Sequence, residues 1–288
     1  MLCMTSGGDH SAFVMGMLKG IFLNRPEVTR WTKIAGVSAG ALLASKISQI
    51  HPDDHPGFIQ SIDHLMHSNV KVCRNWSSLG KVVSYAKAFL WHESLFKSQM
   101  IDIVKPEWGE LCRKCYVGAF NESKGVYRTF GPKPTLAQVS ASASVPVAFR
   151  PVKIGDSVYC DGAMKHIIPV NEIKKYWTNG DLDLLLCYPT DYESYLKTSN
   201  SPSKFKLVDE FWNSLTSSQW VIFNNDLDDL ARFFGQDIRK GGTFDVKGRK
   251  VRVYIPKNGI YCDFINRNSE NLKTMHAHGI EVANDVLA

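Results

Sequence analysis

The chain has 288 residues, of which 44% are apolar and 22% charged, with 21 Gly and 12 Pro. Those proportions exclude a disordered, collagen-like or low-complexity chain and suit one large globular domain. Lys and Arg exceed Asp and Glu by 34 to 28, a net charge of +6, which favours encounter with anionic surfaces and says nothing about chemistry. No apolar run reaches the ~20 residues needed to span a bilayer, and the opening Met1–Gly8 lacks the basic and apolar regions of a signal peptide. Seven scattered cysteines, an odd number, suit a reduced intracellular protein better than a disulfide framework.

No linker or repeat divides the chain, so one domain over 1–288 is expected. A short strand, Leu2 to Thr5, runs into a polar turn with Gly7 and Gly8. A helix follows from Ala12 and ends near Asn24-Arg25-Pro26. Trp31–Val37 reads as a second buried strand, and Ala39–Ile50 as a helix rich in small residues. Residues 55 to about 115 are mostly helical by pattern and carry Phe58, Trp76, Tyr85, Phe89, Trp91 and Phe96. Strands are predicted at Cys115–Phe120 and Val126–Phe130, then a helix at Thr135–Ser144 stopped by Val145-Pro146. Phe149–Ile154 and Ser157–Cys160 flank Gly155-Asp156, a hairpin turn. Asp183–Tyr188 has the continuous apolar centre of a buried parallel strand. Phe205–Phe234 is a helix by periodicity, Thr243–Ile255 a hairpin turning at Lys247-Gly248, and Asn268–Leu287 a closing helix. Alternating strands and helices predict an α/β three-layer sandwich around a central, largely parallel sheet.

Three short stretches carry chemistry. Gly36-Val37-Ser38-Ala39-Gly40 fits G-x-S-x-G, with an apolar strand before it and a helix after it. Small flanking residues let so tight a turn close, and the helix N-terminus favours negative charge at the serine oxygen. The turn Thr5–Ala12 offers backbone N–H groups in a nest for a phosphate or an oxyanion, and lacks both the P-loop and the dinucleotide fingerprint. In Tyr159-Cys160-Asp161-Gly162-Ala163 an acid follows a strand and precedes Gly, which delivers a carboxylate to a strand end. Each stretch alone has a plain structural reading as a turn.

Together they resemble the patatin-like phospholipase family: a Gly-rich oxyanion loop, a G-x-S-x-G serine about 30 residues later, and a D-G-[GA] acid far downstream. Ala141-Ser142-Ala143-Ser144-Val145-Pro146 matches a further family block of small residues ending in Pro, and Gly16-Met17-Leu18 matches the end of the first helix block. The resemblance covers residues 1 to about 170, with a looser match at 271–279. It implies a lipid acyl hydrolase using a Ser38–Asp161 dyad without a catalytic His and without a cofactor. Ser38 would be the nucleophile and Asp161 the base. Backbone N–H groups of Gly7, Gly8 and Asp9 would form the oxyanion hole, Gly36 and Gly40 would shape the elbow, and Gly162 would follow the acid. The implied substrates are phospholipids or related glycerolipids. Ser6, His10 and Ser11 depart from the family loop, which usually has Gly, Arg or Lys, and Gly there. Two other readings compete: a weakly active or inactive lipid-binding relative, and a Ser38–Asp161–His276 or –His278 triad in α/β-hydrolase order.

The remaining signals are plainer. Cys112-x-x-Cys115 has no second pair at zinc-site spacing, and the histidines 51, 55, 64 and 67 lack an accompanying H-E-x-x-H. Arg239, Lys240, Lys247, Arg249, Lys250 and Arg252 form a basic run that suits either a solvated hairpin edge or peripheral contact with an anionic membrane. Nothing in the sequence matches a nucleic-acid module. The 55–115 segment is a candidate cover for an acyl pocket, and the acids from Asn225 to Asp229 read as a polar helix end.

Overall fold

The computed structural model describes residues 1–74, 111–146, 149–198, 206–260 and 269–288. Among them nine strands form one mixed sheet: β1 (Leu2–Met4), β2 (Lys33–Val37), β3 (Lys114–Asn121), β4 (Val126–Phe130), β5 (Val152–Ile154), β6 (Ser157–Asp161), β7 (Leu182–Leu185), β8 (Gly242–Val246) and β9 (Arg249–Tyr254). The helices are α1 (Ser11–Asn24), α2 (Ala39–Ser48), α3 (His55–Arg74), α4 (Leu136–Ser142), α5 (Val170–Tyr176), α6 (Tyr192–Leu196), α7 (Lys206–Phe234) and α8 (Ser269–Leu287). None of them is long and apolar enough to cross a membrane. Trp76, Tyr85, Phe89, Trp91 and Phe96, expected on helices, lie outside the described residues, whereas Phe58 is core.

The sheet runs β5-β6-β3-β2-β1-β7-β9-β8, with β4 on the free edge of β3. Its centre, β3-β2-β1-β7-β9, is parallel. That centre is built from runs buried on both faces, such as Leu2-Cys3-Met4 and Ile34-Ala35-Gly36-Val37, as a parallel sheet covered by helices demands. The expected largely parallel three-layer sheet is therefore present, with antiparallel β4, β5, β6 and β8 toward its margins.

The chain steps from β1 to β2 to β3 in one direction, then continues through β7 and β9 on the other side of β1. The reversal falls between β1 and β7. The segments leaving those two strands at their C-terminal ends stay in contact, Cys187 N donating to Thr5 Oγ1 and Cys187 Sγ to Ser6 O.

Local signals explain most helix limits. Thr135 and Gln138 form a reciprocal capping box at the start of α4. The Asp191 carboxylate caps α6 by accepting from Ser194 N. α1 and α8 pack together along a stripe of small residues, where Gly16 faces Gly279 and Gly20 faces Ala283. A Cβ at Gly16 or Gly279 would overlap a backbone carbonyl of the opposite helix, His276 or Phe13 respectively.

A charged cluster sits inside the sheet around Asp183, toward the N-terminal ends of β2 and β7. Asp183, fully buried on β7, accepts from Trp31 Nε1 (2.6 Å), Arg252 Nε (2.6 Å) and Tyr254 OH (3.0 Å). Arg252 also reaches Asp181 at 3.0 Å. The expectation of six surface cations at 239–252 thus fails at Arg252, whose guanidinium completes this cluster. Arg239 is tied to Asp228 and Asp237, and the Lys247-Gly248 turn lies at the N-terminal end of β9, away from the C-terminal strand ends.

Candidate active site

Pairing on β3 brings the two ends of the site together. β4 covers Val117–Asn121 along one edge of β3, so β2 and β6 must share the other. β2 runs parallel to β3 and ends at Val37, opposite Gly118. β6 runs antiparallel and ends at Asp161, opposite Ala119. Two strands thus meet end to end over adjacent β3 positions, and the residue after one faces the last residue of the other. Ser38 Oγ donates to Asp161 Oδ2 at 2.6 Å across 123 residues of sequence.

Ser38 occupies φ 55, ψ −121 between β2 and α2. A non-glycine residue with positive φ is uncommon and costs on the order of 1–3 kcal/mol, a strain characteristic of functional turns. The flanking glycines permit it. A Cβ on Gly36 would strike the Gly40 carbonyl, and a Cβ on Gly40 would strike the carbonyl oxygens of Met4 and Thr5, where β1 leaves the sheet. The elbow and the exit of β1 are therefore in van der Waals contact.

The small-residue block at 141–146 fastens both partners. Ser142 Oγ accepts from Ser38 N (3.0 Å) and donates to Gly118 O (2.6 Å). Ser144 O accepts from Asp161 N at 2.9 Å. Gly162 then passes against Gly118 and Val37 without room for a Cβ. Asp161 is 1% exposed. Burial pushes its pKa up to about 7, opposed by the hydrogen bonds from Ser38 and from Ala163 N (2.8 Å). Both carboxylate oxygens are thereby occupied. Neither His276 nor His278 bonds to the pair: His278 accepts from Lys257 N and faces Glu281, and the His276 ring lies in α8 with its pKa lowered by burial.

The Gly-containing turn follows β1 and lies against Cys187, just past β7. Gly7 and Gly8 open a short 3-10 turn leading into α1, with Gly8 at φ 52. Among the described residues neither the Gly7 nor the Gly8 N–H donates to a backbone carbonyl. The loop is gripped at Ser6, whose N donates to Ile167 O (2.9 Å) and whose carbonyl accepts from Cys187 Sγ (2.6 Å). Burial pushes the Cys187 thiol up to about 12, so it stays protonated and donates. Asp9 and His10 are buried beside the loop. The His10 ring nitrogens face Gly7 O at 3.3 Å and Ile260 O at 2.9 Å, and the ring leans on Tyr188 at 5.2 Å. An imidazolium donates to both carbonyls, a neutral ring to one. The basic residue of the family loop is thus replaced by a histidine turned into the protein.

Several residues of this region were not legible as parts of it. Ser142 belongs to a block noticed only as small. Cys187 looked like a strand residue, and Asp226 like a helix end. Asp226 did carry a signal: it falls on the buried stripe of Phe223, Leu227, Leu230 and Phe234, where helical periodicity calls for an apolar side chain. Glu172 on α5, also buried, accepts from Tyr127 OH and Thr129 Oγ1 and ties that helix to β4. The C-x-x-C motif is split by exposure, Cys112 outside and Cys115 inside, both free thiols. Among the described residues no cluster has the make-up of a metal site.

A serine on a strained strand-to-helix turn, bonded to a buried carboxylate beside the parallel centre of an open α/β sheet, has the local geometry of the G-x-S-x-G turn. The profile of the patatin-like phospholipases matches residues 2–173, and the chain belongs to that family. It is 21% identical over 275 residues to the "Probable lipid hydrolase 463L" of Invertebrate iridescent virus 6, covering 90% of this chain and 89% of the viral one. A crystal structure of VipD from Legionella pneumophila superposes with a TM-score of 0.49 at 12% identity, over 99% of this chain. The match spans 66% of VipD, just under two thirds of its length.

Proposed function

We propose that this protein is a lipid acyl hydrolase that cleaves fatty-acyl esters of phospholipids or related glycerolipids through a Ser38–Asp161 dyad. The observation that carries the reading is the 2.6 Å bond between Ser38 Oγ and Asp161 Oδ2 at the elbow. Family membership and the viral lipid hydrolase support the substrate class.

Asp161, as carboxylate, takes the proton from Ser38 Oγ while that oxygen attacks the ester carbonyl. The tetrahedral oxyanion accepts hydrogen bonds from the N–H groups of Gly7 and Gly8, with Asp9 next in line and the α2 N-terminus adding its field. Collapse releases the lyso-lipid alcohol, which takes the proton from Asp161, and leaves an ester on Ser38. Water then gives a proton to Asp161 and its oxygen to the acyl carbon, and a second collapse frees the fatty acid and restores Ser38. A base with a pKa near the working pH suits both proton transfers. No step requires a metal or an organic cofactor. Among the described residues no imidazole bonds to either member, which favours the dyad over the reading with His276 or His278.

Mass spectrometry of the products from mixed glycerolipids tests this. Wild type is expected to release free fatty acid and lyso-lipid. Ser38→Ala and Asp161→Asn, both folded, are expected to fall by at least about 10³-fold, in the range of losses seen on removal of hydrolase catalytic groups. Turnover by folded Ser38→Ala above trace refutes the dyad. A wild type that binds lipid without releasing fatty acid establishes the inactive-relative reading instead.

A further inference from the structure

The segment 165–168 follows the acid motif and reaches the oxyanion loop. Lys165 N and His166 N turn back onto Gly162 O, each at 3.0 Å, and Ile167 O then accepts from Ser6 N. This stretch is held from outside by one carboxylate. Asp226, 2% exposed on α7, accepts from Ile167 N (2.7 Å) and Ile168 N (2.9 Å) through Oδ2, and pairs with His166 Nδ1 (2.6 Å) through Oδ1. One buried acid thus gathers three donors from three consecutive residues. The middle residue's carbonyl carries the hydrogen bond to Ser6, directly before Gly7 and Gly8.

We infer that Asp226 is a positioning residue for the oxyanion loop. It fixes the Ile167 peptide, whose carbonyl fixes Ser6 N–H, and so sets the aim of the Gly7 and Gly8 N–H groups. The inference rests on the reading of that loop given under Proposed function and extends it to α7, which lies outside the residues 2–173 matched by the family profile. Two features separate this arrangement from a simple helix anchor. The carboxylate meets main-chain N–H groups on the one segment that touches both the acid motif and the Gly loop. The next peptide unit, Ser6–Gly7, is held at its carbonyl by Cys187 Sγ at 2.6 Å, so Ser6 is tied through both its N–H and its C=O. An alanine removes the acceptor from all three. An asparagine would not, because one amide oxygen can accept from both main-chain N–H groups, as Oδ2 does here, while the N–H₂ donates to a neutral His166 Nδ1. Electrostatic stabilisation by preorganised donors depends on their geometry, so a loop released at Ser6 loses rate before it loses binding.

The test compares Asp226→Ala with Asp183→Asn in the full-length protein. The second variant also disrupts a buried carboxylate, but toward the N-terminal end of β7. Two readouts are taken: kcat and KM on a p-nitrophenyl ester of a medium-chain fatty acid, and hydrogen–deuterium exchange of the peptide covering residues 4–10. Asp226→Ala is expected to lower kcat about 10- to 100-fold with KM within about twofold, and to speed exchange of that peptide. Asp183→Asn is expected to lower the melting temperature while leaving kcat and that exchange unchanged. If Asp226→Ala does not fold, Asp226→Glu, which keeps the charge and shifts it by one methylene, carries the same two readouts. Unchanged kcat and exchange in a folded Asp226 variant overturn the inference, as does an equal fall in kcat for Asp183→Asn. A wild type without esterase activity refutes the function proposed above and leaves the exchange comparison to decide the role of Asp226 by itself.

Discussion

Asp161 is where catalysis and stability pull apart. Its carboxyl is buried away from water, and burial raises its pKa from 3.8 to about 7. Between those values the folded chain holds a proton that the unfolded chain releases. Stability contributed by this group is therefore full below about pH 4, falls as pH rises through that window, and levels off above about 7. The whole span costs on the order of 4 kcal/mol. Asp161→Asn removes the titration. Its melting temperature relative to wild type is expected to climb between pH 4 and pH 7 and then stay constant, as scanning calorimetry across pH reads directly. Over the same window wild-type kcat/KM is expected to rise with an apparent pKa near 7, because the base must be ionised to take the Ser38 proton. Melting curves of the two proteins that stay parallel at every pH contradict the shifted carboxyl.

Among the described helices, α1 and α8 come close enough for their backbones to touch. Gly16 and Gly279 let their backbones touch, and Ala283 sits against Gly20. A methyl at position 279 must push the helices apart, and overpacking of this kind costs about 1–3 kcal/mol. Gly279→Ala is expected to lower the urea midpoint with an unchanged slope. A variant as stable as wild type would mean that the helices separate freely. The same contacts show which elements were legible in the sequence. Strands β1 and β2 and helices α1, α2, α7 and α8 have apolar periodicity and capping or breaking residues, and were expected within a few residues of where they lie. The short α5 and α6 were not foreseen, because seven- and five-residue helices offer too few turns for a period to emerge. Strand β2 starts at Lys33 rather than Trp31 because the Trp31 indole turns inward to the Asp183 carboxylate.

Across the whole molecule the sheet has two poles with different duties. The C-terminal ends of β1, β2 and β7 carry the Gly loop, Ser38 and Cys187, whereas Asp183 with Arg252 and Trp31 lies toward the N-terminal ends of β2 and β7, and Tyr254, the last residue of β9, reaches back to it. Breaking a buried ion pair from one side leaves an uncompensated charge and costs about 3–5 kcal/mol. Asp183→Asn is thus expected to unfold several degrees earlier while the folded fraction keeps its kcat. Loss of activity in step with this variant would mean that the poles are coupled. The meeting of Ser38 with Asp161 was readable from three motifs and their order, because elbow and acid motif are local turns with strict residue needs. What holds them was not readable. Ser142, Ser144, Cys187 and Asp226 act through main-chain partners that sequence spacing does not reveal, and only an acid on an apolar stripe hinted at Asp226.

Ser38 as the acylated residue is the claim on which the rest depends. Treatment with a fluorophosphonate, followed by peptide mapping, reads it at one position. The account predicts a single phosphonyl adduct on Ser38 in wild type, strongly slowed in Asp161→Asn, with fatty-acid release lost in proportion to labelling. An adduct on a different residue, or undiminished fatty-acid release from fully labelled protein, would contradict it.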